Sequence, residues 1–533
     1  MFSFSSYFST EYLVMLLPVS VVLYALLPQR LRRWSLLLSS YVFFWAISGK
    51  LIVFLLFSTL SLHHFGIWLG RIQGELDRLL ESSPREMRKE LKRQYTKKQR
   101  LVVAFALAVH LGMLLWLKYT PFFASNINTL LSLLGIDRAV PVPSYVLPIG
   151  ISFYTLQAVS YIFDVYRRKI PADDNLLRLA LYMSFFPQIM EGPICRYSDT
   201  AQQLWEAPKL RRENLLLGTQ RILYGLVKKM VVADRLNLLI KTVFAGYESY
   251  DGLVMAVAAV CYTVQLYMDF SGTMDVVLGS GQLFGMKLPE NFQRPFFSKT
   301  ISEFWKRWHI TLGTWFKDYI FYPLSMSGPL KKLTSRGRKR LGNHFGPLLA
   351  GSLALFCVWL ANGLWHGAGW NYIFFGMYHF ALILGGSLIE PFVVRLTQKL
   401  HIQRKSFPYR CMQMVRTAIL VCIGELFFRA EGLRAGLAMF RKMVTEFSFA
   451  TLQDQSIFEL GVDKHDCLII FVVLLLVFVI GILQERGIPI RQRISQKNLA
   501  VRFAVYYVLL LLIIVFGAYG RGYVPVDPIY AGF

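Results

Sequence analysis

Two histidines stand where an imidazole is costly to place. His366 lies in Asn362-Gly-Leu-Trp-His-Gly-Ala-Gly-Trp370, between an indole and a glycine inside an apolar run, and His309 lies in Phe304-Trp-Lys-Arg-Trp-His-Ile-Thr-Leu312. An imidazole in apolar surroundings needs hydrogen-bond partners or a chemical purpose. Held neutral in such a pocket, it is suited to take a proton from a hydroxyl nucleophile. Three features near His366 weigh toward that chemistry and against the plain reading of a hydrogen-bonded packing residue. Gly363, Gly367 and Gly369 remove side-chain bulk and let a substrate or another backbone approach. Trp365 and Trp370 offer walls that exclude water. Asn362 offers an amide for an imidazole or a substrate carbonyl.

Other polar residues carry less. His63 and His64 point to different faces of a helix, His344 falls in a basic stretch read as a loop, and His379 reads as packing on the same presumed helix as His366. No carboxylate stands at a ligand-like offset from His309 or His366, so no metal is expected. The six cysteines are far apart, without a C-x-x-C pair, and read as buried inert thiols. Asp164, Glu191, Asp269, Asp275 and Asp318 are carboxylates in or beside apolar segments, an expensive position for each. Asp164 has Arg167 and Arg168 for a local ion pair. Asp269-Phe-Ser-Gly-Thr-Met-Asp275, with a glycine between two acids, reads as a bent span. No G-x-x-x-x-G-K-[ST] occurs, so nucleotide-driven transport has no support.

The elements that must hold these residues are membrane helices. Of 533 residues, 55% are hydrophobic and only 17% charged, outside the range of soluble domains of this size. Apolar segments near 11–27, 34–48, 51–69, 101–117, 145–166, 215–233, 253–270, 347–361, 370–394, 412–428, 467–483 and 503–519 predict an all-α polytopic protein. We expect ten to twelve spans, some broken or re-entrant. The net charge of +26 would suggest nucleic acid in a soluble protein. Here the cations sit in blocks between apolar runs, a topological pattern that argues against nucleic acid and for a lipid bilayer.

Those blocks, at Gln29–Arg33, 71–100, Lys331–Arg340, Arg395–Arg416 and Glu485–Arg502, belong on the cytoplasmic face by the positive-inside rule. Counting outward from them puts both termini outside and His366 toward the outer half of the membrane. The whole chain reads as one membrane-embedded domain, 1–533. Within it, 71–100 is a solvated cytoplasmic linker helix, 299–345 an interfacial helix with a basic cytoplasmic loop, and 431–466 an external segment containing some helix. At helical spacing Trp305, Trp308, His309, Leu312 and Trp315 share one face, which could floor a cavity and carry His309 into it.

Phe304-Trp-Lys-Arg-Trp-His-Ile-Thr-Leu312 through Trp315-Phe-Lys-Asp-Tyr319, with Gly363-Leu-Trp-His-Gly-Ala-Gly-Trp370 and Gly376-Met-Tyr-His379, strongly resembles the two signature regions of the membrane-bound O-acyltransferases. Further matches extend the resemblance: Leu147-Pro-Ile-Gly-Ile-Ser-Phe153, Phe185-Phe-Pro-Gln188, Leu288-Pro-Glu-Asn-Phe-Gln-Arg-Pro295 and the ending Pro528-Ile-Tyr-Ala-Gly-Phe533. Within the family the chain looks most like the bacterial alginate O-acetylation membrane group. The resemblance implies catalytic roles for His366 and His309. Asn362, Trp305, Trp308, Trp365 and Asp318, in or beside these motifs, are the candidate substrate-binding residues. It also implies a helical fold around a tunnel or funnel, with no bound cofactor. The co-substrate would be an acyl thioester, acetyl-coenzyme A or an acyl carrier protein. An extracytoplasmic acyltransferase partner and a surface polysaccharide acceptor complete the implied system, in the inner membrane. The chain departs from the common pattern at Ile310-Thr-Leu-Gly313, Lys317 and Ser325-Met-Ser327.

The reading is therefore a membrane O-acyltransferase moving an acyl group, foremost acetyl, to an external polysaccharide hydroxyl. Its rivals are D-alanyl transfer to teichoic acid, an acyl transporter that performs no chemistry, and an idle scaffold for an external enzyme.

Overall fold

Helices make up the ordered elements of the computed structural model, which describes residues 6–519 and 523–526, and no strand occurs among them. The ending 528–533 lies outside the described residues. Among the described residues, eight helical stretches are long and apolar enough to cross a bilayer, from Gln29–Ser82 to Leu499–Phe516. The first joins Gln29–Ser48 to Ile52–Ser82 through a turn in which Gly49 takes φ 52°. Glu11–Leu26 is apolar but shorter. At 145–166 the helix is Ile151–Tyr166, of 16 residues and buried along most of its length, and at 215–233 it is interrupted by a π-helical turn, Val227–Ala233.

The chain forms two compact units. One contains Met1–Thr219 and Val277–Pro289. Its core is aromatic, with Tyr7 stacked on Phe43 at 5.9 Å and Phe186 edge-on to Phe284 at 5.8 Å. The 71–100 segment is not one helix. Ile52–Ser82 and Arg85–Leu133 meet at Ser83-Pro84, where the extended backbone before Arg85 stops one helix and starts the next. Asp164 pairs with Lys169 at 3.6 Å, while Arg168 turns to Asp77 at 2.8 Å.

The other unit contains Gln220–Val276 and Glu290–Ile529, and it holds every candidate site residue. Gly328–His366, Trp370–Lys399 and Phe407–Arg429 pack in sequence, and the short helix Ile301–Arg307 lies against the last two. The basic run Lys331–Arg340, expected as a loop, is helical. Gly342 at φ 79° kinks the helix there, and a Cβ on Gly346 would fall 2.3 Å from the Arg338 nitrogen, so only glycine permits the close approach. Asp269 and Asp275 sit inside a continuous helix, Gly252–Leu283, not at a bend. Gly272 serves close packing instead, for a Cβ on Gly225 would meet its carbonyl at 2.5 Å. Phe503, Tyr507, Leu511 and Val515 are exposed along Leu499–Phe516, an apolar face that suits lipid.

Candidate active site

His309 sits at a break between two short helices. Ile301–Arg307 ends before Trp308, Ile310–Phe316 begins after His309, and His309 itself takes φ 46°. The single amphipathic helix expected through this region does not form, so its aromatic residues are not on one face. Positive φ is uncommon for a side-chain-bearing residue, though histidine tolerates it better than most.

Asn291 holds the break. Its backbone oxygen accepts from Ile310 N–H at 3.0 Å, and its Oδ1 accepts from the N–H and the hydroxyl of Thr311, each at 3.0 Å. These N–H groups are the first donors of Ile310–Phe316, which a helix cap ordinarily satisfies. His309, at the cap position, makes no such side-chain bond. Asn291 caps the helix from elsewhere in the chain, and the His309 ring takes no part in capping.

The same Asn291 Oδ1 lies 3.3 Å from His309 Nδ1. An oxygen that already accepts from Thr311 requires Nδ1 to be the protonated nitrogen, which leaves the lone pair on Nε2. His309 is 2% exposed, and burial pushes its pKa down to about 3. The ring is therefore neutral at physiological pH.

His366 closes the Gly328–His366 helix, and an extended turn through Gly367 and Gly369 leads into Trp370–Lys399. His379 is thus on a different helix, not on the same one. The glycines serve the chain, not a ligand. A Cβ on Gly363 would meet the Tyr372 carbonyl at 2.5 Å, one on Gly367 the Tyr372 ring at 2.2 Å, and one on Gly369 the Asn371 side chain at 2.6 Å. The space they open is filled by the next helix.

The two imidazoles come together across this packing. Their ring centroids are 6.5 Å apart, and the Trp365 indole stands edge-on to both, at 5.5 Å from His309 and 4.9 Å from His366. Phe428 and Phe375 flank His366 at 5.1 and 6.0 Å, and Phe270 flanks His309 at 4.9 Å. Both histidines are buried. Asn362, one helical turn before His366, is also buried, and its Oδ1 has no hydrogen-bond partner among the described residues.

The remaining predicted residues go elsewhere. Trp305 donates from Nε1 to His379 Nδ1 at 3.2 Å and packs edge-on to Trp359 at 4.9 Å. Trp308 belongs to an aromatic cluster with Phe304, Phe292 and Tyr267. Asp318 is half-buried in a π-helical turn, Lys317–Phe321, on a different element from either histidine. Asn291 is the residue that sequence reasoning passed over. It stands inside Leu288-Pro-Glu-Asn-Phe-Gln-Arg-Pro295, a stretch noted for resemblance and not for chemistry.

Comparison with known proteins gives the family. The family described as "MBOAT, membrane-bound O-acyltransferase family" matches residues 2–337, a region that includes His309 and Asn291 and stops short of His366. A probable alginate O-acetylase of Pseudomonas aeruginosa is 32% identical over 447 residues, covering 84% of this chain and 75% of that protein. A peptidoglycan O-acetyltransferase of Helicobacter pylori is 30% identical over 372 residues, 65% of each chain. A teichoic acid D-alanyltransferase of Bacillus subtilis is 29% identical over 238 residues, 44% of this chain and 58% of that one.

Proposed function

Because the chain belongs to the membrane-bound O-acyltransferase family, we propose that it transfers an acetyl group from a cytosolic thioester to a hydroxyl of an extracytoplasmic polysaccharide. The thioester is acetyl-coenzyme A or an acetylated acyl carrier protein. The protein works in the inner membrane with both termini outside, and an external acyltransferase partner takes part in the handover. The observation that carries this reading is the pair of buried imidazoles 6.5 Å apart between aromatic walls.

His366 acts as general base. It takes the proton of the accepting hydroxyl as the oxygen attacks the thioester carbonyl, and the tetrahedral intermediate then collapses to the ester. The sulfur leaves as thiolate and recovers the proton from the His366 imidazolium, so the step balances. His309, with Nδ1–H engaged by Asn291, presents a lone pair at Nε2. That suits it to orient a donor group of the substrate by accepting a hydrogen bond, and not to stabilise an oxyanion. Asn362 and Trp365 bind and screen the reacting groups.

Acetyl is favoured over D-alanyl by coverage. The similarity to the alginate O-acetylase spans 84% of this chain, against 44% for the D-alanyltransferase. His366→Ala should remove ester-linked acetate from the surface polymer, a loss of roughly a hundred- to ten-thousand-fold in transfer rate, while the protein still inserts in the membrane. Polymer analysis and transfer of labelled acetate by the purified protein measure it. Unchanged acetylation in the variant would sink the assignment.

A further inference from the structure

We propose that the chain after the last apolar helix, at residues 516–519 and 523–526, forms a strap that positions His309 through a buried ion cluster. The chain leaves Leu499–Phe516 and returns over the segment 227–237, where a π-helical turn, Val227–Ala233, widens the helix. There Met230 O accepts from Ala518 N–H at 2.7 Å. Arg235 donates to Phe516 O at 2.6 Å and to the Tyr523 hydroxyl at 3.2 Å. Asn237 Nδ2 donates to Val524 O at 2.9 Å and to Pro525 O at 3.1 Å. Val526 is held at both ends of its backbone: its N–H donates to Asp234 Oδ1 at 2.8 Å and its oxygen accepts from Lys229 Nζ at 2.9 Å.

The side chains that grip the strap are buried, while the strap's own Val524 is 44% exposed. Recognition is thus of backbone, by a socket of charged and amide groups. The socket continues inward. Lys229 Nζ lies 3.0 Å from Asp234 and 2.7 Å from Asp269, so one cation serves two buried carboxylates. Two buried carboxyl groups sharing one ammonium need further donors to be tolerable. The Val526 N–H is such a donor to Asp234. Asp269 is followed by Phe270, whose ring packs 4.9 Å from that of His309. Strap, triad and imidazole wall therefore form one continuous contact path, and Val526 is a positioning residue acting through its backbone.

The catalytic half of this inference rests on the acetyl-transfer reading. Its test separates the two. Val526→Pro deletes the backbone N–H that donates to Asp234, whereas Val526→Ala keeps it. Purified variants are compared for kcat and for KM toward acetyl-coenzyme A, and for hydrogen exchange of the peptide covering 305–316. Val526→Pro should lower kcat by about ten- to a hundredfold with KM unchanged and speed exchange in 305–316, while Val526→Ala matches the wild type. Wild-type kcat and exchange in Val526→Pro would overturn the proposal, as would exchange that rises equally across the whole protein. If the wild type transfers no acetyl group, the functional reading fails, and the exchange measurement still decides whether strap and His309 are coupled.

Discussion

Asn291 Oδ1 gathers donors from His309 and Thr311, and much of the site's geometry hangs on that one amide oxygen. Asn291→Ala removes the helix cap and the imidazole's anchor together and should cost about 1–3 kcal/mol of stability along with most of the turnover. Asn291→Asp, which keeps acceptor oxygens, should retain the fold. Thermal unfolding in detergent, paired with acetyl transfer, distinguishes the two variants. His309 also makes stability depend on acidity. The ring takes a proton near pH 6.5 in the unfolded chain, but only at about 3 in the folded protein, because burial opposes the charge. Between those values the unfolded state binds more protons. The His309 contribution is thus intact above about pH 6.5 and falls as acid is added, by about 1.4 kcal/mol per pH unit. His309→Gln should remove that part of the slope, and identical slopes in the two proteins would contradict a buried neutral ring.

The helical hairpin around His366 depends on two glycines, one in each helix. A Cβ on Gly363 would meet the Tyr372 carbonyl at 2.5 Å, and one on Gly376 the Trp359 carbonyl at 2.4 Å. Neither backbone can yield as a flexible side chain would. Gly363→Ala or Gly376→Ala should therefore push the helices apart, at a cost of about 1–3 kcal/mol, and move His366 away from Phe375. Unaltered melting and activity in both variants would show that the contact is not needed. The elements themselves were legible from apolar runs and motif spacing, and so was the singling out of His309 and His366, which the fold brings to 6.5 Å of each other. The break at His309 was not, because a residue at positive φ leaves the hydrophobic periodicity of 301–316 intact and its support comes from Asn291, 18 residues earlier. The glycines beside His366 read as access, since sequence cannot say that Tyr372 fills the space. Asp269 and Asp275 read as a bend because their neutralising partners, Lys229 and Lys228, come from another helical segment.

For the molecule as a whole, the exposed apolar faces of its long helices identify a multi-pass membrane protein, and the proposed sidedness rests on the cationic blocks. In a background lacking the exposed Cys357 and Cys467, Gln453→Cys should react with a membrane-impermeant maleimide in intact cells. Lys89→Cys should react only after permeabilisation. The reverse pattern would invert the proposed topology and put His366 toward the cytoplasmic half. The grip on Val526 has a consequence in time. Lys229 and Val526 are 297 residues apart, so a ribosome working at about 5–20 residues per second needs roughly 15–60 s to travel from one to the other. Through that interval Asp234 waits without its backbone donor. On the proposed coupling, a nascent chain already threaded into the bilayer would transfer acetyl groups only slowly until Val526 is in place.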